Sequence, residues 1–147
     1  MNLHRLLLAR EAAGKPLRVG LIGAGKFGSM FLAQAQRTRG LHLLGVADLA
    51  PARARASLER VGWPAGRVNA RSPGEAVDRG TTWIGADAEA LITHPALDVV
   101  IDATGNPPAG IAHALAAIAH GKHIVMVNVE ADVLAGPLLA RKAAAAG

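Results

Sequence analysis

The stretch VGLIGAGKFG, residues 19–28, decides the predicted fold. Its glycines Gly23, Gly25 and Gly28 form a GxGxxG pattern that follows a short apolar strand and opens a helix. In that context the first glycine permits a tight turn, the second lets a pyrophosphate approach the backbone, and the third lets the helix pack against the strand. The helix N-terminus then faces the anion. The stretch predicts a dinucleotide-binding loop, to which Lys26 could add charge; the alternative is a glycine-rich turn without a ligand.

Strand-like and helix-like segments alternate on both sides of this loop. Apolar runs predict strands at 17–23, 41–48, 81–85, 97–105 and 122–129. Periodicity and capping residues predict helices at 27–38, 51–62, 72–80, 87–95, 107–121 and 136–147. Strands rich in Val and Ile that are separated by helices indicate a parallel sheet covered on both faces. Right-handed crossovers then make it an α/β fold of the Rossmann type, a doubly wound parallel sheet with helices on both faces.

The chain divides into a lead-in and one domain. Residues 1–16 are predicted to form an amphipathic N-terminal helix and a lead-in, because the LLLA run is too short for the core of a signal peptide. Residues 17–147 are predicted to be the dinucleotide-binding domain, which is long enough to bury a hydrophobic core. The chain ends on an alanine-rich helix where a larger enzyme would continue, so we expect the substrate domain to be absent from this chain.

Composition narrows the classes of partner. The formal net charge of +5 raises the hypothesis of nucleic-acid binding. The arginines are dispersed, however, and aromatic residues, which would supply stacking platforms, make up 3% of the chain. We therefore predict no nucleic-acid partner and a basic surface that favours small anionic ligands. No apolar run approaches the ~20 residues that span a bilayer, and the absence of cysteine is compatible with a cytoplasmic location.

The nucleotide preference depends on the end of the second predicted strand. Asp48 lies there, at the distance from the glycine loop where a carboxylate accepts hydrogen bonds from the adenosine ribose hydroxyls. Such a carboxylate repels a 2′-phosphate and favours NAD over NADP. Arg53 and Arg55 follow on the next predicted helix, and either could bind a 2′-phosphate if it turned inward. The cofactor is therefore NAD or NADP, with NAD slightly preferred.

Two further strand ends would lie beside the cofactor, because ligands bind across the carboxyl ends of the strands in an open parallel sheet. Thr104, Gly105 and Asn106 follow the fourth strand, and Asp102 lies inside it as an expected structural carboxylate. None of the six histidines has a metal-binding spacing, so no metal site is predicted. His113 is expected at the protein surface.

Together, VGLIGAGKFG, DVVIDATGNP and GKHIVMVNVEADV resemble the N-terminal NAD(P)-binding domain of the homoserine dehydrogenase family. The VNVEAD stretch is similar to the homoserine-dehydrogenase-like branch that includes deoxyxylulose-phosphate reductoisomerase-like proteins and often carries a C-terminal SAF domain. The resemblance implies an oxidoreductase that acts on a small polar or phosphorylated substrate. The cofactor-binding residues that it implies are Gly23, Gly25, Lys26, Phe27, Gly28, Asp48, Thr104 and Gly105.

The resemblance also implies a catalytic region at the end of the last strand. Asn128 matches the asparagine of the family's Asn–Lys pair, whereas Val129 stands where the proton-transferring lysine would be. Homoserine dehydrogenase activity itself is therefore not expected. Glu130 is the nearest ionisable replacement and could act as acid, base or ligand of a hard metal ion, or be a solvated loop carboxylate. Asn128 and Glu130 are the candidate catalytic residues.

The expected function is cofactor binding with little turnover in the absence of the substrate domain. A small-molecule substrate would bind through that missing domain, and the chain could form a homo-oligomer. The alternative is a stand-alone NAD(H)-binding module that senses redox state and controls a partner protein.

Overall fold

The computed structural model describes residues 2–147. Five strands form one parallel sheet in the order β3-β2-β1-β4-β5. The strands are β1 Leu17–Ile22, β2 Leu41–Ala47, β3 Trp83–Gly85, β4 Val99–Asp102 and β5 His123–Met126. The helices are α1 Leu3–Ala12, α2 Lys26–Ala35, α3 Pro51–Arg60, α4 Pro73–Arg79, α5 Ala88–Ile92, α6 Pro107–Ala119 and α7 Val129–Ala146, with a 3₁₀ turn at Ala65–Arg67. The predicted α/β class and doubly wound Rossmann-type order are confirmed.

Two hydrophobic clusters cover the two faces of the sheet. One joins side chains of β1 and β2, such as Leu21 and Val46, to α2 and α3. The other joins β2 and β4 to α4, α5 and α6. Helices therefore cover both faces, as predicted from the continuous apolar strands.

Glycines inside the strands bring α5 close to the sheet. A Cβ atom at Gly20 would lie 2.9 Å from the Leu91 side chain, and one at Gly45 would lie 2.8 Å from it. Leu91 therefore fills the space that the two missing side chains leave. This packing keeps the five-residue α5 against the centre of the sheet, although so short a helix has little intrinsic stability.

A helix lies within the predicted lead-in, but its apolar residues are exposed or only partly buried. No side chain of α1 is buried, and Leu3 and Leu6 are 65% and 51% exposed. Ion pairs hold it to the domain, from Glu11 to Arg39 at 2.6 Å and from Arg10 to Asp98 at 3.3 Å. Within residues 2–147, no helix is both long and apolar enough to cross a membrane.

The end of the chain corrects two predicted boundaries. The last strand ends at Met126 rather than at residue 129, and α7 begins at Val129 rather than at residue 136. Asn128 causes the early start because its side-chain oxygen accepts a hydrogen bond from the Ala131 amide, as an N-cap does. The helix then continues through Pro137, which lies inside it rather than near its start. Glu130 and Asp132 consequently lie in the first helical turn.

Candidate cofactor crevice

A crevice of about 470 Å³ lies at the carboxyl ends of β1, β2 and β4. The glycine loop forms its floor, the residues after β2 form one end, and the residues after β4 with the first turns of α6 form the other. This is the edge where parallel α/β sheets bind ligands, beside the change in strand order between β1 and β4. The polar or glycine residues that line it are Gly23, Gly25, Asp48, Arg53, Thr104, Asn106 and His113.

The three loop glycines have separate physical roles. Gly23 has φ +92, and a Cβ there would lie 2.8 Å from the Ala103 carbonyl oxygen of the neighbouring strand end. A Cβ at Gly28 would lie 2.5 Å from the Gly23 carbonyl oxygen, so this glycine lets α2 pack against the loop. A Cβ at Gly25 would meet no atom of residues 2–147 within 4 Å. Gly25 therefore leaves open space in the crevice wall.

The N-terminus of α2 opens at this open space. Gly25 is its N-cap and supplies no side-chain hydrogen bond to the first-turn amides. Helix N-termini with free amides attract anions, because the amide groups point outward and the helix dipole is positive there. Lys26 and Phe27 belong to the same turn but are exposed and do not line the crevice. The arrangement can hold a phosphate group against backbone amides.

Asp48 joins the glycine loop to the residues after β2. Its side chain is buried, and its two oxygens accept hydrogen bonds from the amides of Ala24 at 2.9 Å and Ala50 at 2.8 Å. The Arg53 guanidinium donates to both oxygens, at 2.8 and 3.0 Å, and its side chain is 63% exposed. Burial tends to raise the pKa of Asp48, but these hydrogen bonds and the Arg53 charge outweigh it and lower the pKa. Asp48 is therefore a carboxylate whose four acceptor positions are occupied.

At the other end of the crevice, the buried Asp102 organises the residues after β4. One carboxylate oxygen accepts from the Thr104 hydroxyl at 2.9 Å and from the Asn128 amide at 3.3 Å. The other accepts from Nδ1 of His113 at 2.5 Å. Asn128 also donates to the Asn106 carbonyl at 2.7 Å, so β4, α6 and α7 meet at this cluster. Burial raises the pKa of Asp102, yet the hydrogen bonds from His113 and Thr104 lower it overall.

The predicted residues are only partly brought together. Thr104 lines the crevice, whereas Gly105, with φ +65, is an exposed turn residue beside it. Asn128 is 1% exposed and does not line the crevice. Both the nitrogen and the oxygen of its side chain are hydrogen-bonded within the protein. Glu130 is exposed on α7 and does not line the crevice. Within residues 2–147, no cluster of His, Cys, Asp and Glu side chains could hold a metal ion.

His113 was expected at the surface, and that expectation is wrong. Its side chain is 19% exposed, contacts Asp102 and lines the crevice. The sequence contains a signal that could have located it. An aspartate ends the strand, and a histidine follows eleven positions later in the second turn of the next helix. The second turn of this helix lies beside the end of the strand, so the histidine and aspartate side chains can form a hydrogen bond.

The chain is similar to known oxidoreductases. The model of the oxidoreductase family with an NAD-binding Rossmann fold (Gfo/Idh/MocA) matches residues 17–127. No curated protein matches the sequence significantly. Among solved structures, an NAD-binding oxidoreductase from Klebsiella pneumoniae shares 25% identity over 90% of this chain and 32% of its own, with a TM-score of 0.62.

Two further structures show how varied these relatives are. A homoserine dehydrogenase from Thiobacillus denitrificans shares 25% identity, with a TM-score of 0.68, over 90% of this chain and 28% of its own. A biliverdin reductase from Synechocystis, solved with biliverdin and NADP+, shares 23% identity, with a TM-score of 0.60, over 90% of this chain and 36% of its own. The second likeness shows the fold alone. The chain thus spans about a third of the length of these structures.

Proposed function

The chain belongs to the Gfo/Idh/MocA oxidoreductase family with its NAD-binding Rossmann fold, and from that premise we propose how it binds its cofactor and what it acts on. The observation that carries the proposal is the continuous crevice from Asp48, across the open Gly25 position, to Thr104. The polar groups at its two ends and in its middle suit the adenosine ribose, the nicotinamide and the pyrophosphate of a dinucleotide.

The adenosine ribose lies at Asp48 and the pyrophosphate at the N-terminus of α2. The open position at Gly25 and the free first-turn amides support the second placement. The nicotinamide lies at the end of β4, beside Thr104 and Gly105. Gly23 and Gly28 shape the loop, while Lys26 and Phe27 contribute their backbone amides in the first turn of α2.

NAD is the preferred cofactor in this proposal, by a small margin. The Asp48 carboxylate supports NAD because it repels a 2′-phosphate and accepts ribose hydroxyls. The Arg53 guanidinium rests on that carboxylate and offsets its charge. The pair together carries no formal net charge, so discrimination between the two nucleotides is expected to be weak.

The substrate is proposed to be a small polar or phosphorylated molecule, as in the homoserine-dehydrogenase-like branch. The 25% identity to a homoserine dehydrogenase structure supports this, as does the resemblance of the Asn128 region to the family's Asn–Lys pair. Asn128 then acts by holding the residues after β4, and Glu130 is the candidate acid or base toward the substrate. We further propose that these 147 residues alone bind the cofactor with little turnover. The proposed enzyme to which they contribute the cofactor site is cytoplasmic and a homo-oligomer.

Calorimetric titration of the chain with NADH and with NADPH tests the proposal. We expect saturable binding of NADH and weaker binding of NADPH. Gly25→Val places a side chain in the open crevice position and should abolish both, while Gly66→Val is the matched control, since a Cβ at Gly66 also meets no atom of residues 2–147 within 4 Å. Binding of neither nucleotide to the unmodified chain would overturn the proposal.

A further inference from the structure

We propose that His113, oriented by Asp102, is a hydrogen-bonding contact for the nicotinamide riboside half of the bound dinucleotide. This inference rests on the function proposed above, because it needs a dinucleotide in the crevice. It assigns the histidine a ligand-binding role that neither the glycine motif nor the family resemblance indicated.

The imidazole is held in a defined orientation. Asp102 is fully buried and its carboxylate is an acceptor, so Nδ1 of His113 carries the proton of their 2.5 Å hydrogen bond. Thr104 and Asn128 bind the other carboxylate oxygen and prevent Asp102 from turning. An aspartate that fixes one ring nitrogen leaves the second with a set direction and set hydrogen-bonding properties.

The second ring nitrogen is available to a ligand. Nε2 of His113 has no hydrogen-bond partner within residues 2–147, and the atom is not fully buried. The side chain is partly exposed and lines the crevice. Nε2 is therefore the polar atom that this imidazole offers to a bound molecule.

The Thr104 hydroxyl and the Asn128 side chain, two other polar groups near this end of the crevice, are hydrogen-bonded within the protein. The Thr104 hydroxyl donates to Asp102 and accepts from the Asn128 amide and from the Asn106 backbone. The Asn128 side chain binds the Asn106 carbonyl and caps α7. His113 lies with Thr104 and Asn106 at the end of the crevice away from Arg53, where the nicotinamide riboside would be. Its Nε2 complements the amide and hydroxyl groups of that half.

Replacing His113 with asparagine separates the two roles of the imidazole. Asparagine has a side-chain nitrogen where histidine has Nδ1, so His113→Asn keeps a donor for Asp102 and removes Nε2. NADH and ADP are the two probes, because ADP carries the adenosine and pyrophosphate but no nicotinamide riboside. We expect the variant to bind NADH about 3- to 10-fold more weakly and ADP unchanged, which is the loss expected for one hydrogen bond.

His120→Asn is the matched control, since His120 is an exposed histidine at the end of the same helix. Equal losses for NADH and ADP, or no loss for either, would overturn the inference. If the variant does not fold, the unmodified chain decides through the nitrogen resonance of His113 Nε2, which must shift with NADH and not with ADP. Binding of neither probe to the unmodified chain would instead overturn the proposed function itself.

Discussion

Replacing Arg53 with alanine is expected to change the affinities for the two nucleotides in opposite directions. Arg53 occupies two of the four acceptor positions of Asp48, and the Ala24 and Ala50 amides occupy the others. Ribose hydroxyls can bind Asp48 only where Arg53 withdraws. Removing the guanidinium therefore helps NADH, whereas NADPH loses a cation at its 2′-phosphate and meets the uncompensated carboxylate.

The expected magnitudes follow from the exposure of Arg53, although its partner Asp48 is buried. Arg53 is 63% exposed, and ion pairs of exposed side chains contribute about 0.2–1 kcal/mol. Releasing Asp48 should therefore tighten NADH by up to about 5-fold. A charge-assisted contact to phosphate contributes about 1.5–3 kcal/mol, so NADPH affinity should fall by about 12- to 150-fold. The free energy of unfolding should change by less than about 1 kcal/mol.

Parallel calorimetric titrations with NADH and NADPH measure both effects. Arg55→Ala is the matched control, since Arg55 lies on the same helix and binds the Val68 carbonyl instead of Asp48. It should leave the ratio of the two affinities unchanged. If Arg53→Ala weakens NADH and NADPH by the same factor, or leaves NADPH unaffected, Arg53 does not meet the 2′-phosphate and the reasoning fails.

Three further predictions concern stability, each measured by denaturant unfolding. Gly28→Ala should lower the free energy of unfolding by about 1–3 kcal/mol, because its methyl would lie 2.5 Å from the Gly23 carbonyl oxygen; an unchanged value would contradict the packing. Asp48 and Asp102 have lowered pKa values when folded, so stability should be complete above about pH 4, near their unfolded value of 3.8, and fall as pH drops toward the folded values; a flat profile from pH 5 to 2.5 would refute this. Trp63→Phe should cost about 1–2 kcal/mol, because it removes the 2.9 Å indole hydrogen bond to a carbonyl of α2; a smaller loss would show that water replaces it.

The sheet could be predicted from the sequence because its signals are local. Each predicted strand is present, and the glycine pattern identified the loop that forms the floor of the crevice. The predicted helices at 51–62 and 72–80 begin where the structure has Pro51 as the first residue of α3 and Ser72 as the N-cap of α4, since a cap depends on residues within one turn. Where local chemistry determines the structure, the sequence is sufficient.

The partners of Asp102 and Asp48 could not be predicted in the same way. Asp102 was expected to be structural, but its bond to His113 depends on how the second turn of α6 returns toward β4. The hydrogen bond that the Ala24 amide donates to Asp48 joins residues 24 positions apart. The predicted strand at 122–129 includes Asn128, whose side chain instead caps a helix. In each case the deciding partner is distant in sequence or the local pattern favours another element.

If the cofactor lies as proposed, the contacts of Asp48 determine at which position its preference can change during evolution or protein engineering. Its carboxylate accepts a hydrogen bond from the Ala24 amide of the glycine loop, so a substitution that removes this acceptor leaves a buried amide unpaired and costs about 1–3 kcal/mol before any nucleotide binds. Replacing Arg53 leaves no buried amide unpaired, because most of the Arg53 side chain is in solvent. Position 53 can therefore be exchanged in a single step without loss of folding, whereas position 48 would need a compensating stabilising change first. The fold places the adjustable residue on the surface and the constrained one beneath it.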